Sequence, residues 1–349
     1  MKKIAIIVLA FAMAFGAVSC KEKGEADISV WTTYDTVKIL RDKAYNETMP
    51  AKLRFSAVKN EYESAQLIVT ANKAVRSYDV ELSDLKGENG EIFSAENFTV
   101  YNQKYIQVTR TTTNNFESGW YPDALLPFDT AAEYGENTIE EGENQGIWFS
   151  CYVPKTQAAG VYSGSFTINA DGSSVAVPVS VEVSDFTLGD EVHSRSSFGI
   201  HRYWNEGGIV SAEKDAGYGM YAAYYEYLLD YRISARYMPS SMTDIDGFIA
   251  QLRKYFANPK CSNYILPYVE AYDSDFGGSG IDYAAYEYLL DKIAAASIED
   301  EVNYFEKAST YFAMYDEITS ASDIQKANAF YKKIYDLHIS VAEKWGSSL

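Results

Sequence analysis

Two adjacent carboxylates, Asp316 and Glu317, end the aromatic run TYFAMY at residues 310–315. Such a run is typical of a buried strand, because aromatic side chains favour pleated structure. A polar stretch follows it, in which Ser322 and Asp323 are suitable helix caps. The pattern predicts that both acids lie where a strand passes into a loop, a place from which carboxylates can exchange protons with a ligand.

Cleavage of a glycosidic bond is one reaction that two carboxylates can perform. One group protonates the leaving oxygen, and the second stabilises an oxocarbenium-like centre. When the sugar carries a 2-acetamido group, its own carbonyl oxygen can be the nucleophile, and the second carboxylate then only orients that amide. Neighbours in a regular strand point to opposite faces, so the backbone must turn if Asp316 and Glu317 are to serve one ligand. The alternative is that both acids simply begin a solvated loop.

The first twenty residues have the pattern of a bacterial lipoprotein signal peptide. Lys2 and Lys3 precede an uncharged apolar run that ends in small residues just before Cys20. The run is too short to span a membrane. We therefore expect Cys20 to be lipidated, with residues 21–27 as a tether. The expected location is the cell envelope, periplasmic or at the cell surface, with membrane contact through the lipid anchor only.

The composition argues against nucleic acid as a partner and favours sugars. The formal net charge is −19, so phosphate backbones are repelled and nucleic acid is a poor partner. The 30 tyrosines and 5 tryptophans suit surfaces that stack on sugars, although most such rings serve core packing. Besides Cys20, only Cys151 and Cys261 are present, and the sequence does not decide whether they pair.

Residues 28–190 show an apolar period of two. The clearest example places Val175, Val177, Val179, Val181 and Val183 alternately with polar or small residues. Turn residues separate the strand candidates, and Asp171-Gly172 predicts a hairpin turn. Pro178 inside the valine run predicts an edge strand or a bulge. We predict an antiparallel β-sandwich for this region.

Residues 191–349 alternate short strand candidates with amphipathic helices. The strand candidates are SSFGIHR, ISARYMP, NYILPYV and TYFAMYDE, and the helix candidates are 211–231, 244–257, a stretch from about 283, and 322–345. Such alternation predicts parallel strands covered by helices. Four units make half of a (β/α)₈ TIM-type barrel. We therefore expect an incomplete barrel and a chain shortened at its C-terminal end; a smaller open α/β domain is the alternative.

In a barrel of this kind, the carboxyl ends of the strands form the active face. Arg202 and Trp204 follow the first strand candidate, and Tyr272 and Tyr315 stand at neighbouring strand ends. We predict that these four residues bind substrate, by hydrogen bonds from the guanidinium and by stacking of the rings. Ordinary surface ion pairing and packing are as plausible for Arg202 and Trp204. The three histidines lack metal-ligand spacing, and no nucleotide or serine-hydrolase motif is present, so we expect no cofactor and no metal.

Several segments resemble the accessory sandwich of glycoside hydrolase family 123. They are KNEYESAQL at 59–67, GWYPDALLP at 119–127, VPKTQAAGVYSG at 153–164 and DFTL at 185–188. They occur in order, and the similarity extends from about Trp31 to the end of the chain. The family, with relatives carrying domain of unknown function 4091, pairs this sandwich with a barrel that carries an Asp-Glu motif.

The resemblance implies a glycoside hydrolase similar to β-N-acetylgalactosaminidases that use substrate-assisted catalysis. By motif, Glu317 would be the general acid/base and Asp316 would hold the acetamido group. Relatives often have Pro after the Glu, where this chain has Ile318. The implied substrate is a glycan ending in a β-linked 2-acetamido sugar, with N-acetylgalactosamine favoured. The alternative is a non-catalytic glycan-binding lipoprotein or an inactive fragment.

Overall fold

A computed structural model of the protein describes residues 27–46, 48–112, 116–200, 218–240, 243–274, 278 and 280–346. The chain divides into two compact units at Leu188 and Gly189. The first unit consists mainly of strands and the second mainly of helices. Each unit has its own hydrophobic core.

The first unit contains twelve strands among its described residues, arranged in two sheets. They are β1 (Ile28–Thr33), β2 (Met49–Pro50), β3 (Leu53–Lys59), β4 (Glu61–Ala71), β5 (Tyr78–Glu81), β6 (Leu85–Lys86), β7 (Ile92–Phe93), β8 (Phe98–Val108), β9 (Gly119–Pro127), β10 (Asn144–Val153), β11 (Gly160–Ala170) and β12 (Ser173–Thr187). One sheet has the order β2-β1-β4-β10-β8-β9. The other has the order β3-β12-β11-β6-β7, with β5 also paired to β11. A short helix, α1 (Phe128–Glu133), follows β9.

The two sheets bury their facing side chains in a common core, which is the predicted sandwich. On β10, Ile147, Phe149, Cys151 and Val153 are all fully buried at alternate positions. Phe149 stacks on Phe166 of β11 with ring centroids 5.8 Å apart. The alternation places every second side chain of a strand on the core face, and burial of these side chains stabilises the unit.

The predicted hairpin is confirmed, but the predicted edge position of Pro178 is wrong. Strands β11 and β12 form the hairpin, and Asp171 and Gly172 both adopt positive φ at its turn, as a two-residue turn of this kind requires. The prediction of an edge strand is wrong, because β12 lies between β11 and β3. Its ladder with β3 is parallel and begins at Val179. Pro178 therefore has a strand partner on one side only, where its missing N–H costs no ladder bond.

A loop covers the outer face of the first sheet and explains its buried amides. We call residues 34–46 the strap. The Gln66 side-chain amide donates to Tyr34 O and Val37 O, and that of Asn144 donates to Leu40 O and Lys43 O. Both amides are almost fully buried. They satisfy strap carbonyls that would otherwise be buried without partners.

The second unit contains four described α-helices and short pieces of other structure. The helices are α2 (Tyr218–Asp230), α3 (Ile245–Phe256), α4 (Tyr283–Glu299) and α5 (Ala321–Trp345). The strands are β13 (Tyr264–Ile265), β14 (Glu270–Ala271), β15 (Gly280–Ile281) and β16 (Ala308–Ser309). Side chains of Asp244, Asp282 and Ser320 cap α3, α4 and α5. The helix predicted over 244–257 is observed at Ile245–Phe256, whereas the cap expected at Ser322 or Asp323 lies instead at Ser320.

The predicted incomplete (β/α)₈ barrel is wrong. Among the described residues of the second unit, the parallel contacts are a single bridge between Phe198 and Ala235 and the two-residue pairing of β13 with β16. Strands β14 and β15 pair antiparallel with each other. No barrel is evident in the described part of the chain, where the strands of this unit are two residues long.

The aromatic segment 310–315 packs against helices and does not extend strand β16. TYFAMY was expected to be a strand, but β16 ends at Ser309 and a 3₁₀ turn occupies Ala313–Tyr315. The amides of Tyr315 and Asp316 bond to Phe312 O and Ala313 O rather than to a neighbouring strand. The rings favour a strand by propensity alone, yet tertiary contacts decide the local structure.

Cys151 and Cys261 are both free and buried, one in each unit. Burial raises the pKa of the Cys151 thiol to about 12, so the group stays protonated at neutral pH. Among the described residues, no helix has the length and apolar character to span a membrane.

His338 gives the second unit a pH-dependent stability. Its Nε2 lies 3.1 Å from the Tyr286 hydroxyl, and burial lowers its pKa from the ordinary value of 6.5. The folded state therefore favours the neutral ring. The contribution is fully present above the unfolded-state pKa and is lost as the pH falls below about 6.5 towards the folded-state pKa. We expect His338→Gln to flatten this part of the stability profile between pH 7.5 and pH 5, measured by urea unfolding.

His193→Gln is the matched control, because the His193 side chain is 82% exposed. The profile of this variant should follow that of the unmodified protein. An unchanged slope in His338→Gln would show that burial of this ring does not control the acid response.

Candidate active site

The segment 310–317 crosses the second unit between β16 and α5 and carries the two acids. After the 3₁₀ turn at Ala313–Tyr315, Asp316 adopts an extended conformation with φ −86° and ψ 148°. Asp316 and Glu317 are both exposed. Their carboxylates are therefore accessible to a ligand from solvent.

The buried ring of Phe312 holds this segment in place. It packs edge-on against Phe330 of α5, with centroids 5.0 Å apart, and against Tyr268 at 4.9 Å. Tyr286 of α4 lies on a further side at 6.0 Å. The Tyr268 hydroxyl also accepts a hydrogen bond from the Ala313 amide at 3.2 Å. These contacts fix the backbone just before the acids.

Two hydrogen bonds orient the Asp316 carboxylate. The Tyr311 hydroxyl donates to Oδ2 at 2.9 Å, and the Glu317 amide donates to Oδ1 at 3.1 Å. Each oxygen therefore has one donor and keeps lone pairs for another. A carboxylate held in this way is prepared to accept a hydrogen bond from a ligand N–H.

The backbone turns sharply at Glu317, which adopts φ 52° in the left-handed region. Non-glycine residues rarely adopt this conformation, and it costs about 1–2 kcal/mol. The turn removes the strand geometry in which neighbouring side chains point to opposite faces. It therefore allows both carboxylates to approach one ligand, as the sequence argument required.

The Arg236 side chain lies over the ring of Tyr311, whose hydroxyl donates to Asp316. The guanidinium carbon of Arg236 is 4.2 Å from the centroid of the Tyr311 ring. Its Nε atom is buried and donates no hydrogen bond to a described residue. The positive charge is attracted by the ring face and favours a stronger donor hydroxyl on Tyr311. Arg236 belongs to the segment ISARYMP, where no sequence signal singles it out.

Tyr315 was predicted to bind substrate. It lies in the aromatic cluster beside Phe330, with the two ring centroids 4.9 Å apart. Its hydroxyl is buried, and burial with nearby Asp273 raises its pKa. Tyr331 of α5 is more accessible, with 39% exposure. Burial raises its pKa, and Tyr311 and Asp316 add to the effect. Besides Tyr311, Tyr331 is thus a second tyrosine on which Asp316 acts.

Tyr272 is 83% exposed, and its ring lies beside Gly278, where a Cβ would be 3.3 Å from a ring carbon. Its role in substrate binding stays a prediction. Arg202, Trp204 and Cys20, which the sequence assigns to substrate binding and lipidation, lie outside the described residues. The described residues contain no cluster of three or more His, Cys, Asp or Glu side chains that could hold a metal ion.

Tyr311 and Arg236 are the functional candidates that sequence reasoning missed. Tyr311 stands five residues before Asp316, in a run where every ring looked like core. Only the 3₁₀ turn between them brings the hydroxyl and the carboxylate together.

The left-handed backbone at Glu317 predicts a stability difference between two variants. Glu317→Gly removes the steric cost of positive φ, whereas Glu317→Ala keeps it. We expect the glycine variant to exceed the alanine variant by about 1 kcal/mol in free energy of unfolding, measured in urea. Glu301 is also exposed and adopts φ 54°, so Glu301→Gly and Glu301→Ala form a matched pair that should show the same difference in free energy of unfolding. An alanine variant at 317 as stable as the glycine variant would contradict the strain.

Residues 31–170 match the glycoside hydrolase 123 N-terminal domain, which covers most of the sandwich. No curated protein matches the chain.

A family 123 glycoside hydrolase of known structure resembles most of the chain. It comes from Clostridium perfringens and is described for glycolipid glycan hydrolysis, with 14% identity and a TM-score of 0.59. The match covers 88% of this chain and 62% of that protein. The chain therefore spans less than two thirds of this relative's length. At this identity the likeness shows the fold alone.

Two further structures resemble a smaller part of the chain. Self-complemented MyfA, the major fimbrial subunit of Yersinia enterocolitica, solved with galactose, shares 10% identity over 45% of this chain and 98% of its own, with a TM-score of 0.22. The CooA pilin subunit from enterotoxigenic Escherichia coli shares 14% over 42% and 98%, with a TM-score of 0.23. Scores this low carry no argument.

The sandwich carries the family's N-terminal domain, and most of the chain follows the fold of a family 123 enzyme. The resemblance predicted from the sequence is confirmed, and the protein is glycoside hydrolase family 123-like.

Proposed function

We propose that the protein hydrolyses terminal β-linked N-acetylhexosamine residues of glycans, with N-acetylgalactosamine as the favoured sugar. The reaction would be substrate-assisted and retaining. The observation that carries the proposal is the oriented Asp316 carboxylate directly beside Glu317 at a left-handed turn. The match to the family 123 domain supports the choice of reaction class.

The proposed reaction divides the work between the two acids. The acetamido oxygen of the substrate attacks the anomeric carbon while the bond to the leaving oxygen breaks. Glu317 gives its proton to that oxygen, and Asp316 accepts the acetamido N–H and stabilises the positive charge of the oxazolinium ring. Water then attacks the anomeric carbon, the bond from that carbon to the acetamido oxygen breaks, and Glu317 takes a proton from the water.

The geometry at Asp316 fits this role. Tyr311 and the Glu317 amide occupy one lone-pair direction on each oxygen and prevent free rotation of the carboxylate. Fixed geometry supplies much of the advantage of an intramolecular nucleophile, because the acetamido group must be held for attack. Exposure of Glu317 leaves its side chain free to reach a leaving oxygen.

An accessible ring supports sugar recognition at the same place. Tyr331 is exposed by more than a third and lies in electrostatic range of Asp316. A tyrosine face can stack on the apolar face of a pyranose while its hydroxyl bonds to the sugar. We also propose that further residues complete the sugar site. Lipidation of Cys20 and location in the cell envelope are further proposals.

We expect Glu317→Gln to lower kcat on an N-acetylgalactosaminide by about 10²–10⁴-fold with little change in binding, because the amide cannot protonate the leaving oxygen. The loss should be larger for an alkyl glycoside than for a 4-nitrophenyl glycoside, whose leaving group needs less protonation. Release of 4-nitrophenol and of free sugar measures both rates.

Glu301→Gln is the matched control for this experiment, because Glu301 is an exposed glutamate with the same backbone conformation. Full activity in Glu317→Gln would overturn the assignment of the acid. Sugar binding without turnover, unchanged by Glu317→Gln, would instead favour a glycan-binding protein.

We expect Tyr311→Phe to lower kcat about 10-fold, because Asp316 loses the donor on one oxygen. KM should change less, since the carboxylate itself remains. Tyr335→Phe on α5 is the control, as Tyr335 is 64% exposed. Equal rates for Tyr311→Phe and the unmodified protein would show that the Tyr311 hydroxyl does not orient Asp316 for the reaction.

A further inference from the structure

Arg236 is a cation without a counter-ion beside the candidate site. The residue is half-buried, and its guanidinium makes no ion pair and no hydrogen bond with any described residue. The chain carries 49 Asp and Glu residues against 30 Lys and Arg residues. In so acidic a chain, a cation on the surface is expected to find a carboxylate nearby, so the isolation of this one calls for an explanation.

The other described arginines of the second unit all have acceptors. Arg253 forms ion pairs with two carboxylates. Arg195 and Arg232 each donate to a backbone carbonyl. Arg236 therefore differs from the arginines that serve only to hold this unit together.

The terminal Nη groups of Arg236 face solvent, whereas its Nε does not. Nε is buried without a partner, so a ligand does not reach it. Neither Nη atom is both buried and unpartnered, and no described residue accepts a hydrogen bond from either, so both are accessible. The guanidinium lies over the Tyr311 ring, with its carbon 4.2 Å from the ring centroid. A guanidinium supported in this way keeps the N–H donors of its Nη groups for a ligand.

The Tyr311 side chain links this guanidinium to the candidate catalytic acids. Its ring supports Arg236, and its hydroxyl donates to Asp316 Oδ2 at 2.9 Å. The Asp316 carboxylate takes its two donors from Tyr311 and from the Glu317 amide, and it does not pair with Arg236. A ligand group held by the Nη atoms would therefore lie beside the sugar that Asp316 is proposed to hold.

The chemistry of a guanidinium determines the class of ligand group. It is always charged, and its parallel N–H groups match two oxygens of a carboxylate or a sulfate. A hydrogen bond between charged groups is stronger than one to a neutral hydroxyl, and partial burial of the cation strengthens the attraction further. The acidic chain repels anions at long range, but at about 0.15 M salt this repulsion is screened beyond about 8 Å. The contact at Arg236 then decides the preference.

We propose that Arg236 binds an anionic group of the glycan, a carboxylate or a sulfate ester, at or next to the N-acetylhexosamine that is cleaved. The substrates would therefore be acidic glycans. The inference rests on the proposed function for the position of the cleaved sugar, whereas recognition of the anion is measured by binding alone. Arg236 takes no part in bond breaking.

The test compares acidic and neutral ligands by NMR titration of the full chain carrying Glu317→Gln, so that no ligand is hydrolysed. One pair is the β-N-acetylgalactosaminide of glucuronic acid against that of glucose. The other is methyl β-N-acetylgalactosaminide with and without a sulfate ester. At about 0.15 M salt, we expect the acidic member of at least one pair to bind about 10-fold more tightly, as a charge-assisted contact provides. The pair that responds distinguishes a carboxylate on the neighbouring sugar from a sulfate on the cleaved sugar.

Variants assign the preference to Arg236. Arg236→Gln should abolish the preference for the acidic ligand, and Arg236→Lys should keep part of it, because Lys retains the charge without the parallel N–H groups. Tyr311→Phe retains the ring below the guanidinium and loses only the hydroxyl, so it should keep the preference in full. Arg253→Gln is the matched control, because Arg253 is exposed and pairs elsewhere in the same unit.

Equal binding of the acidic and neutral members of both pairs would overturn the proposal, and so would a preference that survives Arg236→Gln. The comparison of ligands needs no change at Arg236, so it decides even if Arg236→Gln does not fold. Hydrolysis of the same four ligands is measured separately with the unmodified chain. A preference for the acidic ligand without any hydrolysis would reject the proposed function alone, whereas hydrolysis without the preference would reject only the role of Arg236.

Discussion

Burial of the Phe312 ring is the contact on which the candidate site depends. The ring touches aromatic side chains from two helices and from the segment after β13, and it lies four residues before Asp316. A buried phenylalanine contributes several kcal/mol, far more than the exposed hydrogen bonds that follow it. The position of the acids is therefore set by hydrophobic packing, while the Tyr311 hydroxyl sets only the orientation of one carboxylate.

The same division between packing and polar contacts applies to the sandwich. Its core side chains alternate along the strands and bury one face of each sheet. The outer face of the first sheet carries polar side chains beside Trp31 and Ile68, and Gln66 and Asn144 are buried there because the strap covers them. Polar side chains on a covered face must find partners, and these two find backbone carbonyls. Gln103 Oε1 is the exception, because it has no hydrogen-bond partner among the described residues.

The sequence predicted the sandwich and the helix over 244–257 well, because hydrophobic periodicity is a local signal. The valine run of β12 and helix α3 are examples. It failed for the barrel, because TYFAMY has the composition of a strand while its rings pack on α4 and α5. The Asp-Glu pair was visible in the sequence, but the left-handed turn at Glu317 and the approach of Arg236 to Tyr311 depend on tertiary contacts.

The parallel pairing of β3 with β12 has a consequence for the order of folding. It joins Leu53 to Val179, so the second sheet cannot be completed until almost the whole unit has left the ribosome. Contacts so distant in sequence slow folding, because a long loop must close before they form. Until β12 has been synthesised, the edge of β3 that pairs with it has no partner strand, and an unpaired edge favours aggregation. The β3–β12 ladder is therefore among the last parts of this unit to form.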